Sequence, residues 1–313
     1  MRYGWIWLSL LLALGSLQLQ AKDYLLMDRI GISAESIALG RVMGNSNQAN
    51  AIFGNPAALF RIPRYSISAF NLSHMNHRVQ FFNLAAAYRW GDGVFSMGVL
   101  RGSTNGIPVV SDFIQTDSTH YRNVMTKLAY QRLINPRISV GLAGTYYLTS
   151  SHLQTGKGTN IDLGLIYRRK DSHIGLLLKN ILPRSVQYSH QSESDFSAQE
   201  AIPSALQVSL KSAPTMGLQF LPQLNFSRHS LANGDKSFFI LPSMGVLFHP
   251  IHWPLIDLRA GLHRELSITL TQRTRYAFGI GLDLYNLYFA YTFERNEFEL
   301  DPNMHYFSVS INQ

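Results

Sequence analysis

Two pairs of histidines stand three residues apart in this chain, His74-Met75-Asn76-His77 and His249-Pro250-Ile251-His252. Such a pair can share a metal, but a zinc-hydrolase helix also places a glutamate directly after the first histidine. Neither pair has that glutamate, so both read as solvated loop histidines. Gly156-Lys157-Gly158-Thr159 has the end of a phosphate-binding loop without its upstream glycine or its strand–helix setting, and reads as a hairpin. There is no G-x-S-x-G elbow, and no spacing of Ser, His and acid singles out a nucleophile. The absence of Cys removes thiolate metal sites and disulfide scaffolds. No catalytic residue, metal or cofactor is therefore expected.

The chemistry that remains is charge placed at every second position. Asp162, Arg168, Lys179, Gln207, Gln219, Gln223, Asn225, Asp257, Arg259, Arg275 and Asp283 all fall on the small or polar side of alternating segments. In a strand, successive side chains point to opposite faces, so these residues share one wall and the apolar residues take the other. Arg137 to Thr149 is the clearest case. Ile138, Val140, Leu142, Tyr146 and Leu148 form one face, while Ser139, Gly141, Ala143, Thr145, Tyr147 and Thr149 form the other. If the sheet closes, the polar wall lines a lumen. Its charges then either pair across the lumen and hold what lies inside, or form a polar path for a solute.

About fourteen such segments of roughly ten residues follow one another from Tyr65. They are expected near 65–74, 80–90, 93–103, 121–132, 137–149, 158–169, 172–181, 203–212, 217–228, 238–248, 255–263, 274–285, 286–295 and 303–311. Pro222 within one of them predicts an edge, a bend or a bulge. The connections alternate between tight turns and longer links. Gly91-Asp92-Gly93, Leu133 to Pro136, Lys170-Asp171, Ser212 to Met216 and Tyr285-Asn286 are tight. Gly102 to His120, Leu182 to Ile202 and His229 to Ser237 are long. Outer-membrane barrels have this rhythm, with short periplasmic turns and longer outside loops, and a soluble sandwich does not. Aromatic residues near segment ends, such as Trp90, Trp253 and Tyr285, fit interfacial girdles.

Residues 1–21 read as a signal peptide. Arg2 supplies the charged start and Trp5 to Leu14 the apolar run, which is too short for the roughly 20 residues of a spanning helix. Residues 22–62 do not alternate. Ser33 to Met43 has helical spacing with Ser33 as a cap, and Asn55-Pro56-Ala57-Ala58-Leu59 reads as a capped helical turn. Residues 63–313 are the expected barrel. The fold class is thus all-β, an antiparallel transmembrane β-barrel with a short, partly helical N-terminal hatch.

Ala38-Leu39-Gly40, then Asn55, Pro56, Ala57 and Leu59, and a closing Ala290-Tyr291-Thr292-Phe293 with His305 to Ser310 give the chain a family likeness. It resembles the PorV/PorQ-type proteins within the wider FadL-like outer-membrane group. It departs from them at Arg41-Val42, where Gly-Gly is usual, and at the final Gln313. The resemblance implies fourteen strands, a hatch built on the Asn55 motif, and a place in the bacterial outer membrane. It also implies a component of protein secretion or surface attachment, with secretion-machinery or secreted-protein partners. The alternative it implies is FadL-like transport of a lipophilic or small solute.

Composition agrees with a lipid-facing surface. Charged residues are 15% of the 313, well below the quarter usual in soluble domains, and aromatics are 12%. The formal charge of +8 falls to +7 without Arg2 and suits anionic lipid headgroups. The basic residues are scattered, with no basic run, so no nucleic-acid partner is expected.

Overall fold

The computed structural model describes residues 24, 30–74, 79–111, 114–151, 154–190, 197–230, 235–266, 271–296 and 303–313. The expected signal peptide and the His74/His77 pair lie outside the described residues or side chains.

Sixteen strands are described, all in one antiparallel sheet. They are β1 (Tyr65–His74), β2 (Val79–Trp90), β3 (Gly93–Ser111), β4 (Ile114–Asn135), β5 (Ile138–Ser150), β6 (Gln154–Arg169), β7 (Ser172–Lys179), β8 (Ser185–His190), β9 (Ser197–Ala201), β10 (Ser204–Lys211), β11 (Leu218–Ser230), β12 (Lys236–Phe248), β13 (Ile256–Leu266), β14 (Gln272–Leu284), β15 (Leu287–Asn296) and β16 (Met304–Asn312). Fourteen of them close on themselves. β1 pairs with β16, Ser66 lying opposite Asn312 and Asn71 opposite Phe307, and β7 is followed around the wall by β10. The other two, β8 and β9, form a hairpin that continues the outer end of β6, with Lys157 opposite Gln187.

The alternation read in the sequence is the alternation of the wall. Along β5, inward Ser139, Ala143 and Tyr147 are buried, while outward Leu142 and Tyr146 are exposed. The outward set continues with Leu163, Leu176, Phe220, Phe278 and Phe289. In water so broad an apolar surface would drive association, whereas in a bilayer it is the solvated face. Backbone groups crossing a bilayer must be paired, and a closed barrel pairs them. Trp90, Trp253 and Tyr285 all lie exposed at the end that carries the short turns and both ends of the barrel sequence. That end is the periplasmic one by the loop-length rule.

Four expectations need correction. Gly102 to His120 is not a loop: β3 and β4 continue through it, with register shifts at Thr104/Ile107 and Val109/Val110. Leu182 to Ile202 contains the β8–β9 hairpin. The Gly156–Thr159 stretch lies within β6 rather than in a turn. Pro222 sits in a strand paired on both sides, but the β10 ladder ends at Ser209–Gln223, one residue away. β10 itself runs on, and Ser212 N–H donates to Phe220 C=O at 2.9 Å, so the wall accepts the proline with only a local break in the ladder.

The described residues before β1 fold inside the barrel. Among them an α-helix, α1 (Ala34–Ala38), lies against β13, β14 and β15. It is shorter than the helix expected over 33–43, because Gly40 and Arg41 both take left-handed backbone, at φ 67° and 55°, and turn the chain back. Two 3₁₀ turns follow. Ala49–Phe53 lies against β1 to β3, and Pro56–Arg61 against β4, β5 and β6. The internal segment thus crosses the lumen from one wall to the other before it enters β1.

Candidate functional site

The site is the lumen and what occupies it. The internal segment is capped as its residue types suggest. Ser33 Oγ accepts from Ser36 N–H at 3.1 Å, and Asn55 Oδ1 accepts from Ala57 N–H at 3.0 Å, with Pro56 at the first position of its turn. Ala57 and Leu59 are wholly buried beside it.

Wall side chains then bond five further backbone groups of the segment. Asn83 Nδ2 donates to Ile32 C=O at 2.5 Å and Thr292 Oγ1 to Ala34 C=O at 2.6 Å. Ser139 Oγ donates to Ala57 C=O at 2.8 Å. Gln223 Oε1 accepts from Met43 N–H at 2.7 Å, and Ser66 Oγ from Ala49 N–H at 3.0 Å. A buried backbone polar group without a partner is costly, so these five contacts from five strands define one seating of the segment. Wall glycines let it come that close. A side chain at Gly261 would start 2.2 Å from Gly40 N, and one at Gly141 would start 2.5 Å from Ala57 N.

Three ionic groups surround this seat. On β13 and β15, Arg259 meets Asp257 at 2.7 Å and Glu35 of α1 at 3.8 Å, and Tyr288 donates to Asp257 at 3.0 Å. Nearer the outer end, Arg41 of the segment meets Glu294 at 3.0 Å, beside His263. Glu294 also accepts from Tyr306 at 2.7 Å, and Arg275 lies 2.5 Å from Glu265 and 3.4 Å from Glu294. On the opposite wall Lys127 and Asp162 form a wholly buried pair at 2.5 Å, and Asn180 N–H donates to the same carboxylate at 2.8 Å. Burial pushes the Glu35 carboxyl above the ordinary carboxylate range, with Arg259 opposing. Burial, and to a lesser degree nearby Arg168, lowers the Arg61 guanidinium to about 10, so it stays cationic at neutral pH.

The residues singled out from the sequence therefore separate. Asp162, Asp257, Arg259 and Arg275 sit in ionic groups inside the lumen. Lys179, Gln207, Gln219 and Gln223 are buried on the inner wall, and Asn225 is partly buried there. Arg168 stands at the periplasmic mouth, its guanidinium 4.2 Å over the Phe60 ring. Asp283 departs from expectation: it has inward parity, but it lies one residue from the end of β14 and is exposed at the rim. Sequence reasoning did not single out Lys127, Glu35, Arg41 or Glu294. Glu294 was within reach, since it follows Tyr288, Ala290 and Thr292 at every second position.

The outer half of the lumen has a different lining. Phe70, Phe81, Leu100, Met125, Tyr147 and Tyr306 are buried there and continue into Ile32, Ile37 and Tyr24 of the segment. Phe70 packs edge-on to Phe81 at 5.9 Å and stacks on Tyr306 at 6.0 Å. Apolar contacts dominate this quadrant, with polar contacts at its edge, as where Tyr147 donates to Asn180 at 2.8 Å. Among the described residues, no three His, Cys, Asp or Glu converge to hold a metal.

No family model and no curated protein sequence matches the chain. Solved structures do. The toluene transporter TodX of Pseudomonas putida superposes with a TM-score of 0.62 at 13% identity, covering 90% of this chain and 99% of that one. The fold is that of the FadL-like outer-membrane barrels. The CymD monoaromatic hydrocarbon channel gives 0.62 at 12% identity, over 91% of this chain and 98% of that one. A Pseudomonas aeruginosa FadL homologue gives 0.58 at 11%, over 89% and 97%. Within that fold, this chain packs an apolar quadrant of the outer wall against the internal segment.

Proposed function

We propose that this barrel admits a lipophilic or small apolar solute from its outer end, with the internal segment as the hatch that controls passage to the periplasm. The observation that carries the reading is the apolar quadrant of Phe70, Phe81, Leu100, Met125 and Tyr306 in the outer half of the lumen, packed against a segment that is held to the wall by side-chain hydrogen bonds and ion pairs rather than by strand pairing. Edge and face contacts to a small aromatic ring are the kind of contact such a patch provides once the segment moves away. The fold-level likeness to toluene and monoaromatic hydrocarbon channels supports the same class of solute. The ion pairs then act as the latch, and Asn55, Pro56, Ala57 and Leu59 as the rigid turn on which the hatch is hung.

The test is uptake of radiolabelled toluene by cells with an intact outer membrane that express the protein. Wild type should exceed the vector control several-fold. Phe81→Glu should return uptake to the control while the unboiled protein still migrates as a folded barrel. Equal uptake by wild type and vector would end the proposal.

A second reading, the PorV/PorQ-type secretion or surface-attachment component, draws on the length of β3 and β4. They run to 19 and 22 residues, where about 10 suffice to cross a bilayer. Their outer ends would be the docking surface. Copurification of a stoichiometric protein partner, lost on trimming residues 104–119, together with no toluene uptake, would favour it.

A further inference from the structure

The periplasmic rim carries a cleft that the lumen does not use. It measures about 640 Å³ and lies between the β4–β5 and β6–β7 turns, lined by Pro136, Arg137, Tyr167, Arg168, Arg169 and Lys170. Four of its six residues are cationic. We propose that this cleft binds the phosphate of an anionic glycerophospholipid of the periplasmic leaflet.

Three observations converge on it. The first is fixed charge. The Arg168 guanidinium is held by donation to Pro136 C=O at 2.6 Å and by the Phe60 ring beneath it, so one cation is positioned before any ligand arrives. The second is the residue chosen for the turn. Lys170 occupies left-handed backbone at φ 52° in a two-residue hairpin turn, where glycine or asparagine is the unstrained choice. A lysine there gains nothing for the turn and adds a charge to the cleft. The third is continuity with the lipid-facing wall. Tyr167 points outward, exposed, opposite Ile138 on one side and Ile174 on the other. A ligand with its phosphate among the guanidinium groups therefore meets apolar wall immediately outward, where acyl chains run. That amphipathic sequence fits a lipid and leaves half of the surface unused by free phosphate. Planar guanidinium groups suit phosphate oxygens, and a tyrosine at the boundary suits the headgroup level.

The experiment is native mass spectrometry of the detergent-purified full barrel titrated with short-chain phosphatidylglycerol, with phosphatidylcholine, and with glycerol 3-phosphate. Wild type should retain phosphatidylglycerol about tenfold better than phosphatidylcholine, as several basic groups at a headgroup imply. Retention should weaken as salt rises. Arg137→Gln/Arg169→Gln/Lys170→Gln, confirmed as folded by heat-modifiable migration, should lose the preference. Arg228→Gln/Lys236→Gln, which removes exposed charge at the outer end, should keep it. If the triple variant keeps the preference, or the outer-end pair loses it equally, the site is not at this rim. If glycerol 3-phosphate binds as well as the lipid, the cleft reads a free phosphate and the lipid assignment is overturned. Toluene uptake is a separate readout, so neither result depends on the solute.

Discussion

Lys127 and Asp162 are both wholly buried, on strands that flank β5, and their 2.5 Å contact is a place where one side chain controls the wall. Removing water from two charges is costly, and their attraction offsets that only while both are present. Asp162→Ala leaves an ammonium buried without its counter-ion and also takes away the acceptor for Asn180 N–H, so a loss of about 3–5 kcal/mol is expected in urea unfolding of the refolded barrel. Replacing both partners with apolar residues of similar size, Lys127→Met/Asp162→Leu, should cost much less; a double variant as unstable as the single would mean the pair is not the source. Glu35 behaves in the opposite sense. Its carboxyl is pushed up by burial, with Arg259 pulling it down and Asp257 pushing it further up. A carboxyl raised in the folded state supports that state fully at pH below its ordinary range, and the support is lost as pH rises through the folded value. Glu35→Gln, which cannot ionise, should therefore hold the internal segment more firmly than wild type at pH 7 and equally near pH 4. Single-channel conductance in planar bilayers reads this as fewer openings at pH 7. More openings in Glu35→Gln at pH 7 would mean that the Arg259 ion pair outweighs burial.

At the level of elements, the internal segment depends on wall glycines as much as on its own sequence. A Cβ at Gly261 lies 2.2 Å from Gly40 N, well inside van der Waals contact, and 2.6 Å from Ala38 C=O. Both obstacles are backbone and cannot rotate away. Gly261→Val should leave the β12–β13–β14 ladder intact, since valine suits a strand, and displace α1. The expected result is a barrel that still shows heat-modifiable migration but conducts more than wild type; an unchanged closed conductance would show that α1 does not close the lumen. The strands themselves were legible because one apolar face in contact with lipid imposes strict alternation, as in Ile138 to Leu148. That pressure ends where the wall leaves the membrane. The outer parts of β3 and β4 pair with each other beyond Thr104 and Tyr121 without the alternation, and so read as loop. The same reason hid β8 and β9. Lys127 escaped notice because Thr126 and Arg122 lie on the outward face of β4, so its two faces differ little in polarity. The Ser33 and Asn55 caps are local chemistry and were readable; the reversal at Gly40-Arg41, which makes α1 one turn long, is set by the walls on either side.

Taken as a whole, the molecule is two solvation problems solved on opposite faces of one sheet, and the outer one admits a direct test of its position in the membrane. Leu142 and Ile138 point outward from the same strand. Leu142 lies near mid-wall, opposite Leu163 and next in line with Leu178, while Ile138 lies at the rim beside Arg137 and opposite Tyr167. In a soluble barrel, arginine at either position would be harmless, because each would enter water. In a bilayer the cost of an outward arginine is about 2–4 kcal/mol at the midplane and about 0–1 near the interface. Leu142→Arg should therefore lower stability in phospholipid vesicles by that larger amount, and Ile138→Arg should stay near wild type. Denaturant titration of both variants, read by the fraction migrating as folded barrel, gives the difference. Equal costs would shift the apolar belt toward the periplasmic rim and place the Arg137–Lys170 cleft within hydrocarbon, where four cations cannot stand unpaired. A large difference puts that cleft at headgroup depth, where the same charges that no bilayer core would accept become a site for phosphate.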